Sequence, residues 1–201
     1  NSAVRGIHRG ELDGKEGYFL QSLGRCDLAM TLESGQAFRW RRRDGAFEGV
    51  ISGRQVRLRQ AGETAVFVEG SDDSEARFVS HYLALDMDQP SIERELSAID
   101  GIMQKAVASS SGLRTLRQEP WETLIAFIIS ANNGVPNITR VIESLSSRYG
   151  DLIEGPFGTY SAFPRPEQLA GAGHDGIWSC KAGFRTRGIC EAARGVLDGT
   201  I

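Results

Sequence analysis

The sequence predicts an α+β chain: an antiparallel β-sheet domain with flanking helices, followed by an all-helical domain. Three observations carry this. Between residues 36 and 69, apolar and charged residues alternate with a period of two, and turn dipeptides break the run. Such alternation marks antiparallel strands with one covered face and one wet face. After residue 90 the apolar spacing changes to three and four, the period of helices. Between the two regions lies Asp86-Met87-Asp88-Gln89-Pro90, a break that sets the expected domains at 1–88 and 89–201.

The elements follow in order. Phe38 and Trp40 alternate with Arg39 and Arg41, so a strand is expected there. Asp44-Gly45 is a two-residue hairpin signal. Phe47–Ile51 is the next strand, then Ser52-Gly53 turns again. Val56 and Leu58 alternate with Arg57 and Arg59, Ala61-Gly62 turns, and Val66–Val68 makes a fourth strand. Asp72, Asp73 and Glu75 precede a helix over Ala76–Leu85, where negative charge favours the helix start. Ile92–Ile99 and Ile102–Val107 are amphipathic segments.

Pro120 suits the first turn of a helix containing Trp121, Leu124, Ile125, Phe127, Ile128 and Ile129. Apolar groups fall on nearly every side of it, so it is expected to be buried at the centre of its domain. It stops at Asn132-Asn133-Gly134. The next helix starts at Pro136, carries Ile138, Val141, Ile142, Leu145 and Tyr149 on one stripe, and stops at Gly150. Pro164 and Pro166 lead into a short helix around Leu169. Gly183 precedes a last helix with Ile189, Cys190, Ala193, Val196 and Leu197, ended by Gly199.

Composition excludes several classes. A chain of 201 residues, 40% hydrophobic and 24% charged, is an ordinary globular chain rather than a disordered or fibrous one. The apolar run Leu124–Ile129 is far short of the ~20 residues of a membrane helix. No signal peptide is visible at the start. Cys26, Cys180 and Cys190 lack the close spacing of a metal site, so neither a metal nor a cofactor is expected. The net charge of −3 is uneven: residues 1–100 hold 13 Lys/Arg and 17 Asp/Glu, residues 101–201 hold 10 and 9. The second half is therefore not barred from a polyanionic partner.

Four constellations stand out, each with a bland reading and a sharper one. Ser130-Ala131-Asn132-Asn133-Gly134 is either a helix C-cap with a turn or an exposed polar prong suited to a phosphate or an orphaned base. In Gly183-Phe184-Arg185-Thr186-Arg187 the aromatic is either a local staple or a wedge between bases, with arginines on the backbone or base edges. Gly35, in Ser34-Gly35-Gln36, marks a turn or a close backbone approach to a ligand. Arg39-Trp40-Arg41-Arg42-Arg43 is a solvated strand face or a nucleic-acid stripe. On residues alone the reading stops at a β-meander plus a helical domain, with nucleic acid as a candidate partner.

Together these segments resemble the 8-oxoguanine DNA glycosylase family, a branch of the helix–hairpin–helix glycosylase superfamily. The resemblance rests on SGQAFRW at 34–40, RQEPWETLIAFIISANNGVPNIT at 117–139, FPRPEQLAG at 163–171 and AGFRTRGI at 182–189, in the family's order. It implies roles at matching positions. Gly35 corresponds to a glycine whose carbonyl senses the N7 hydrogen of 8-oxoguanine, where guanine has an acceptor. Asn132 corresponds to the residue that fills the gap left by the extruded base. Phe184 corresponds to an aromatic wedge, usually tyrosine, and Arg185 to an arginine that reads the estranged cytosine. Arg187 is expected to face DNA as well. Asn137 stands where eukaryotic members have a second cytosine-reading arginine, which implies weaker discrimination of the opposite base.

The resemblance further implies base-excision repair of 8-oxoguanine in double-stranded DNA, by a monomer using AP-lyase chemistry. The family's lysine nucleophile and its aspartate come after a hairpin that is expected downstream of Ile201. Lys105 and Lys181 do not occupy the matching position, so residues 1–201 alone are expected to be inactive. The helical glycosylase domain is thus expected to be truncated here. The expected setting is a bacterial cytoplasm, on the nucleoid, or a nucleus for a eukaryotic member, with no membrane partner. Two alternatives remain: an alkylated-base (3-methyladenine type) glycosylase, and a non-catalytic DNA-binding short form.

Overall fold

The computed structural model describes residues 6–201. Strands β1 (Ile7–Leu12) and β2 (Lys15–Gln21) open the chain and pair antiparallel. Asp13-Gly14 joins them, both residues left-handed at φ 53° and 74°. That backbone matches the twist of a two-residue hairpin. The same device links β3 (Arg41–Arg43) to β4 (Ala46–Ile51) through Asp44-Gly45, and β4 to β5 (Arg54–Gln60) through Ser52-Gly53. With β6 (Ala65–Glu69) they form one antiparallel sheet in the order β1-β2-β6-β5-β4-β3. The α+β class is as the sequence predicts.

Two strand expectations are corrected. β1 and β2 are not among the expected strands; six of their thirteen residues are exposed, and burial does not alternate cleanly along them. Conversely, Phe38-Arg39-Trp40 is not a strand, which starts only at Arg41. Side-chain bonds shape this stretch instead. The Gln36 amide donates to the Arg114 carbonyl (2.9 Å) and accepts from the Leu116 amide (3.1 Å), and Trp40 Nε1 donates to the Tyr82 hydroxyl (3.1 Å).

Helices α1 (Leu28–Leu32), α2 (Asp73–Tyr82), α3 (Gln89–Ser97) and α4 (Gly101–Ser109) are each capped by an aspartate, Asp27, Asp72, Asp88 and Asp100. Each carboxylate accepts from first-turn amides that have no partner within the helix.

The chain divides into two compact units. The first runs through Glu48 and resumes over Val56–Arg117; the second holds Gly49–Gln55 and Gln118–Ile201. By compactness the division therefore falls later than the 88/89 boundary expected from the sequence. Residues 110–117 explain why. Arg114 is buried, and its guanidinium donates to the carbonyls of Arg25 (3.2 Å), Ala84 (3.4 Å), Met87 (3.2 Å) and Leu23 (2.6 Å) and to the Ser22 hydroxyl. Arg117 pairs with Asp86 and donates its amide to the Tyr82 carbonyl. The core of this unit is built from Leu20, Leu28, Leu58, Phe67, Val79 and Leu83.

The second unit contains α5 (Pro120–Ser130), α6 (Val135–Tyr149), β7 (Leu152–Gly155), β8 (Gly158–Ser161), α7 (Pro166–Ser179) and α8 (Thr186–Asp198). Its core comprises Ile125, Ile129, Val141, Leu145, Ile177 and Ile189. α6 ends at Gly150, where a Cβ would sit 1.9 Å from the Ala162 carbonyl. The buried side chain of Gln55 holds the β7–β8 hairpin, donating to the Ile153 (2.9 Å) and Gly158 (2.6 Å) carbonyls. One expectation fails here: α5 is not buried all round. α6 and α8 pack on it and Ile125 and Ile129 are buried, while Phe127 stays 75% exposed.

Candidate nucleic-acid interface

α5 ends in a run of small and amide residues. Its last apolar turn stops at Ser130, and Asn132 then adopts a left-handed backbone at φ 49°. Asparagine tolerates this conformation better than most residues. Asn132 is exposed. Beside it, Asn133 does the structural work. Its Nδ2 donates to the Ile129 carbonyl (3.1 Å), closing the end of α5. Its Oδ1 accepts from the Gly134 amide (3.1 Å) and from Asn137 Nδ2 (2.8 Å), tying in the start of α6. The two amides of the pair are therefore divided between holding the turn and projecting from it. Asn133 was not among the predicted site residues. Its signal is spacing: it lies four residues from both Ile129 and Asn137.

The loop between α7 and α8 brings the next two predicted residues to this turn. Lys181 and Gly183 are both left-handed (φ 65° and 61°), and a short 3-10 turn over Gly183–Arg185 leads into α8. Phe184 is 67% exposed. Arg185 folds over it, its guanidinium carbon 4.3 Å from the ring centre, a cation–π distance. The same guanidinium donates to the Ala131 carbonyl (Nε, 2.8 Å) and to the Asn132 carbonyl (Nη2, 2.8 Å). These carbonyls lie at the negative end of α5, where a cation is favourable. An exposed amide, an exposed aromatic and a guanidinium thus share one spot, the guanidinium bonded to the backbone of the turn and stacked on the ring.

Other predicted residues are engaged locally. Asn137 gives its amide hydrogens to Asn133 and accepts from Arg140 Nη1 (2.9 Å). Arg187 points outward and pairs with Glu191 one turn on (2.7 Å). The arginine stripe is also partnered: Arg42 pairs with Glu33 and lies 5.0 Å from the Phe47 ring centre, and Arg43 reaches Glu48.

Gly35 belongs to the first unit. It follows α1 in a stretch of bends rather than opening a strand, and its φ of +85° is one that glycine adopts without strain. Its neighbours are fixed. The Ser34 hydroxyl donates to the Thr31 carbonyl (2.9 Å), and Gln36 is held by the backbone at Arg114 and Leu116. Arg114, itself held by five acceptors, thus sets the segment against which Gly35 is placed. Among the described residues, no group of three or more His, Cys, Asp or Glu side chains is placed to hold a metal ion.

Residues 19–124 match the family model described as 8-oxoguanine DNA glycosylase, N-terminal domain. The N-glycosylase/DNA lyase of Saccharomyces cerevisiae is 34% identical over 189 residues, which cover 85% of this chain and 50% of that protein. The chain spans about half the length of this and of the Arabidopsis thaliana relative. The crystal structure of the Clostridium acetobutylicum 8-oxoguanine glycosylase/lyase, solved with double-stranded DNA containing cytosine opposite 8-oxoG, superposes with a TM-score of 0.88 at 30% identity, covering 97% of this chain and 66% of that one. The 3-methyladenine DNA glycosylase of Archaeoglobus fulgidus shares the fold, with a TM-score of 0.70 at 18% identity, covering 87% of this chain and 65% of that one. The chain belongs to the 8-oxoguanine DNA glycosylase family, whose N-terminal domain it carries at residues 19–124.

Proposed function

We propose that this chain recognises 8-oxoguanine in duplex DNA for a base-excision glycosylase with AP-lyase activity. The observation that carries this reading is the clasp of Arg185 on the Asn132 turn beside the exposed Phe184.

Extruding a base costs a few kcal/mol of stacking and pairing. Asn132 projects from a turn that Asn133 already holds, so it fills the vacated space without ordering a loop first. Phe184 offers an apolar face to wedge beside the estranged cytosine. Arg185 is fixed in direction by the carbonyls of Ala131, Asn132 and Ala182 and keeps one Nη1 hydrogen for the cytosine edge. Gly35 offers a backbone carbonyl, which attracts the N7 hydrogen of 8-oxoguanine and repels the N7 lone pair of guanine.

The excision chemistry requires a lysine nucleophile. A lysine that forms a Schiff base needs a desolvated pocket or a neighbouring cation to be reactive at neutral pH. Lys15, Lys105 and Lys181 are all exposed. The family resemblance implies that the reacting lysine and its aspartate come downstream of Ile201, with residues 1–201 supplying recognition.

Borohydride trapping on a duplex with 8-oxoguanine opposite cytosine tests this. The chain extended through its downstream reading frame should form the covalent adduct, and residues 1–201 alone should not. An adduct with the short chain would overturn the placement of the nucleophile. Release of 3-methyladenine without release of 8-oxoguanine by the extended chain would overturn the substrate.

A further inference from the structure

Three side chains of the second unit form one hydrogen-bonded relay next to Asn132. Arg140 Nη1 donates to Asn137 Oδ1 (2.9 Å), Asn137 Nδ2 donates to Asn133 Oδ1 (2.8 Å), and Asn133 Nδ2 donates to the Ile129 carbonyl (3.1 Å). The relay thus runs from the second turn of α6 to the last turn of α5. Its direction is fixed by groups that can only donate. The Gly134 amide, 3.1 Å from Asn133 Oδ1, requires an oxygen at that point. Asn137 must then present nitrogen to Asn133 and oxygen to Arg140, whose guanidinium has no acceptor to offer in return.

This is more than a pair of residues stacked on one helix. Asn133 precedes α6, so its bond to Asn137 crosses the helix start. Gly134, the N-cap, makes no side-chain cap bond, and Asn137 ties the first turn back to the loop instead. Asn133 also follows directly on Asn132, whose left-handed backbone offers its carbonyl to Arg185. Holding Asn133 therefore holds the residue that fills the vacated space in the function proposed above, and the inference rests on that reading. An arginine at position 137 would offer a fork of donors to a base. Asn137 has two amide hydrogens and spends one on Asn133. We propose that Asn137, seated by Arg140, is a positioning residue for Asn132, acting through Asn133 rather than by reading the opposite base.

The test is equilibrium binding by the chain extended through its downstream reading frame. The probes are duplexes with 8-oxoguanine opposite each of the four bases, and the undamaged duplex. Asn137→Ala should bind all four lesion duplexes about tenfold more weakly and the undamaged one nearly as before. In an Asn133→Ala background the same substitution should cost nothing further, because its route to Asn132 is already cut. Arg140→Ala should weaken lesion binding in the same even pattern. Arg140→Gln keeps an N–H donor without the charge and should recover most of that loss. With lesion preference intact in the wild type, three outcomes would overturn this inference alone: no loss with Asn137→Ala, a loss confined to the cytosine-paired lesion, or a loss that persists in the Asn133→Ala background. Arg140→Gln as weak as Arg140→Ala would remove Arg140 from the relay in favour of a charge contact with DNA. Equal binding of lesion and undamaged duplexes by the wild type would instead overturn the proposed function, and this inference with it.

Discussion

The Arg185 guanidinium donates to the backbone carbonyl of Asn132, 2.8 Å away, across 53 residues of sequence. A second bond, to Ala131, holds the same plane, and the Phe184 ring lies beneath it. Two segments that the sequence marks separately, the turn after α5 and the entry to α8, therefore form one rigid corner. Arg185 is held in place by the turn that carries Asn132. Lysine cannot replace it in this role, because an ammonium lacks the planar fork that bridges two carbonyls.

Backbone and side chain of Asn132 can be separated by substitution. Glycine accepts a φ of 49° freely, so Asn132→Gly should leave urea unfolding unchanged within about 0.5 kcal/mol. It should nonetheless weaken binding to a lesion duplex, because the amide prong is gone. Asn132→Val should cost about 1–2 kcal/mol of stability from left-handed strain. Equal lesion binding by wild type and the glycine variant would remove the side chain from recognition.

Arg114 is the buried charge on which the first unit turns. Arg114→Leu would remove the guanidinium donor from the Ser22 hydroxyl and from the carbonyls of Leu23 and Arg25, while the Ala84 and Met87 carbonyls keep the amides of Met87 and Gln89. Breaking a buried ionic or hydrogen-bonded cluster from one side costs about 3–5 kcal/mol, and a loss of that size is expected in urea unfolding. Arg114→Lys keeps the charge but not the reach, and should recover only part of it. A loss below about 1 kcal/mol would contradict this account.

The Cys26 thiol titrates in the same region. Burial pushes its pKa up to about 11, against the lowering effect of the nearby Arg114 charge. The sign is fixed by linkage. The unfolded thiol, near its ordinary value of about 9, loses its proton first, so the folded state binds more protons between pH 9 and 11. Stability carried by the neutral thiol is complete below pH 9 and is lost as pH rises towards 11. Cys26→Ala should unfold with a flatter pH dependence than wild type over that window, by up to about 1.4 kcal/mol per pH unit. Parallel curves for the two proteins would rule the thiol out as their source.

The sequence made much of this visible, for physical reasons that differ by element. Asp44-Gly45 and Ser52-Gly53 read correctly as hairpins because their left-handed backbone restricts which residues fit. Asp13-Gly14 carries the same signal, but burial along the strands around it does not alternate cleanly. Trp40 alternates like a strand residue, yet its indole is engaged by Tyr82 rather than placed by a ladder. Arg114 has no sequence signature, since a lone arginine among Leu113, Thr115 and Leu116 reads like any surface cation. At the interface, Phe184 and Asn132 stood out by residue type. The clasp between Arg185 and the Asn132 turn is tertiary and could not be read from spacing.

The central claim is that Arg185 reads lesion DNA from the Asn132 turn. Its most direct test is equilibrium binding to a duplex with one 8-oxoguanine opposite cytosine and to the matched undamaged duplex, for wild type and Arg185→Ala at one fixed salt concentration. The account predicts a loss of about 1–3 kcal/mol on the lesion duplex and little change on the undamaged one. An equal loss on both duplexes, or none on either, would contradict it.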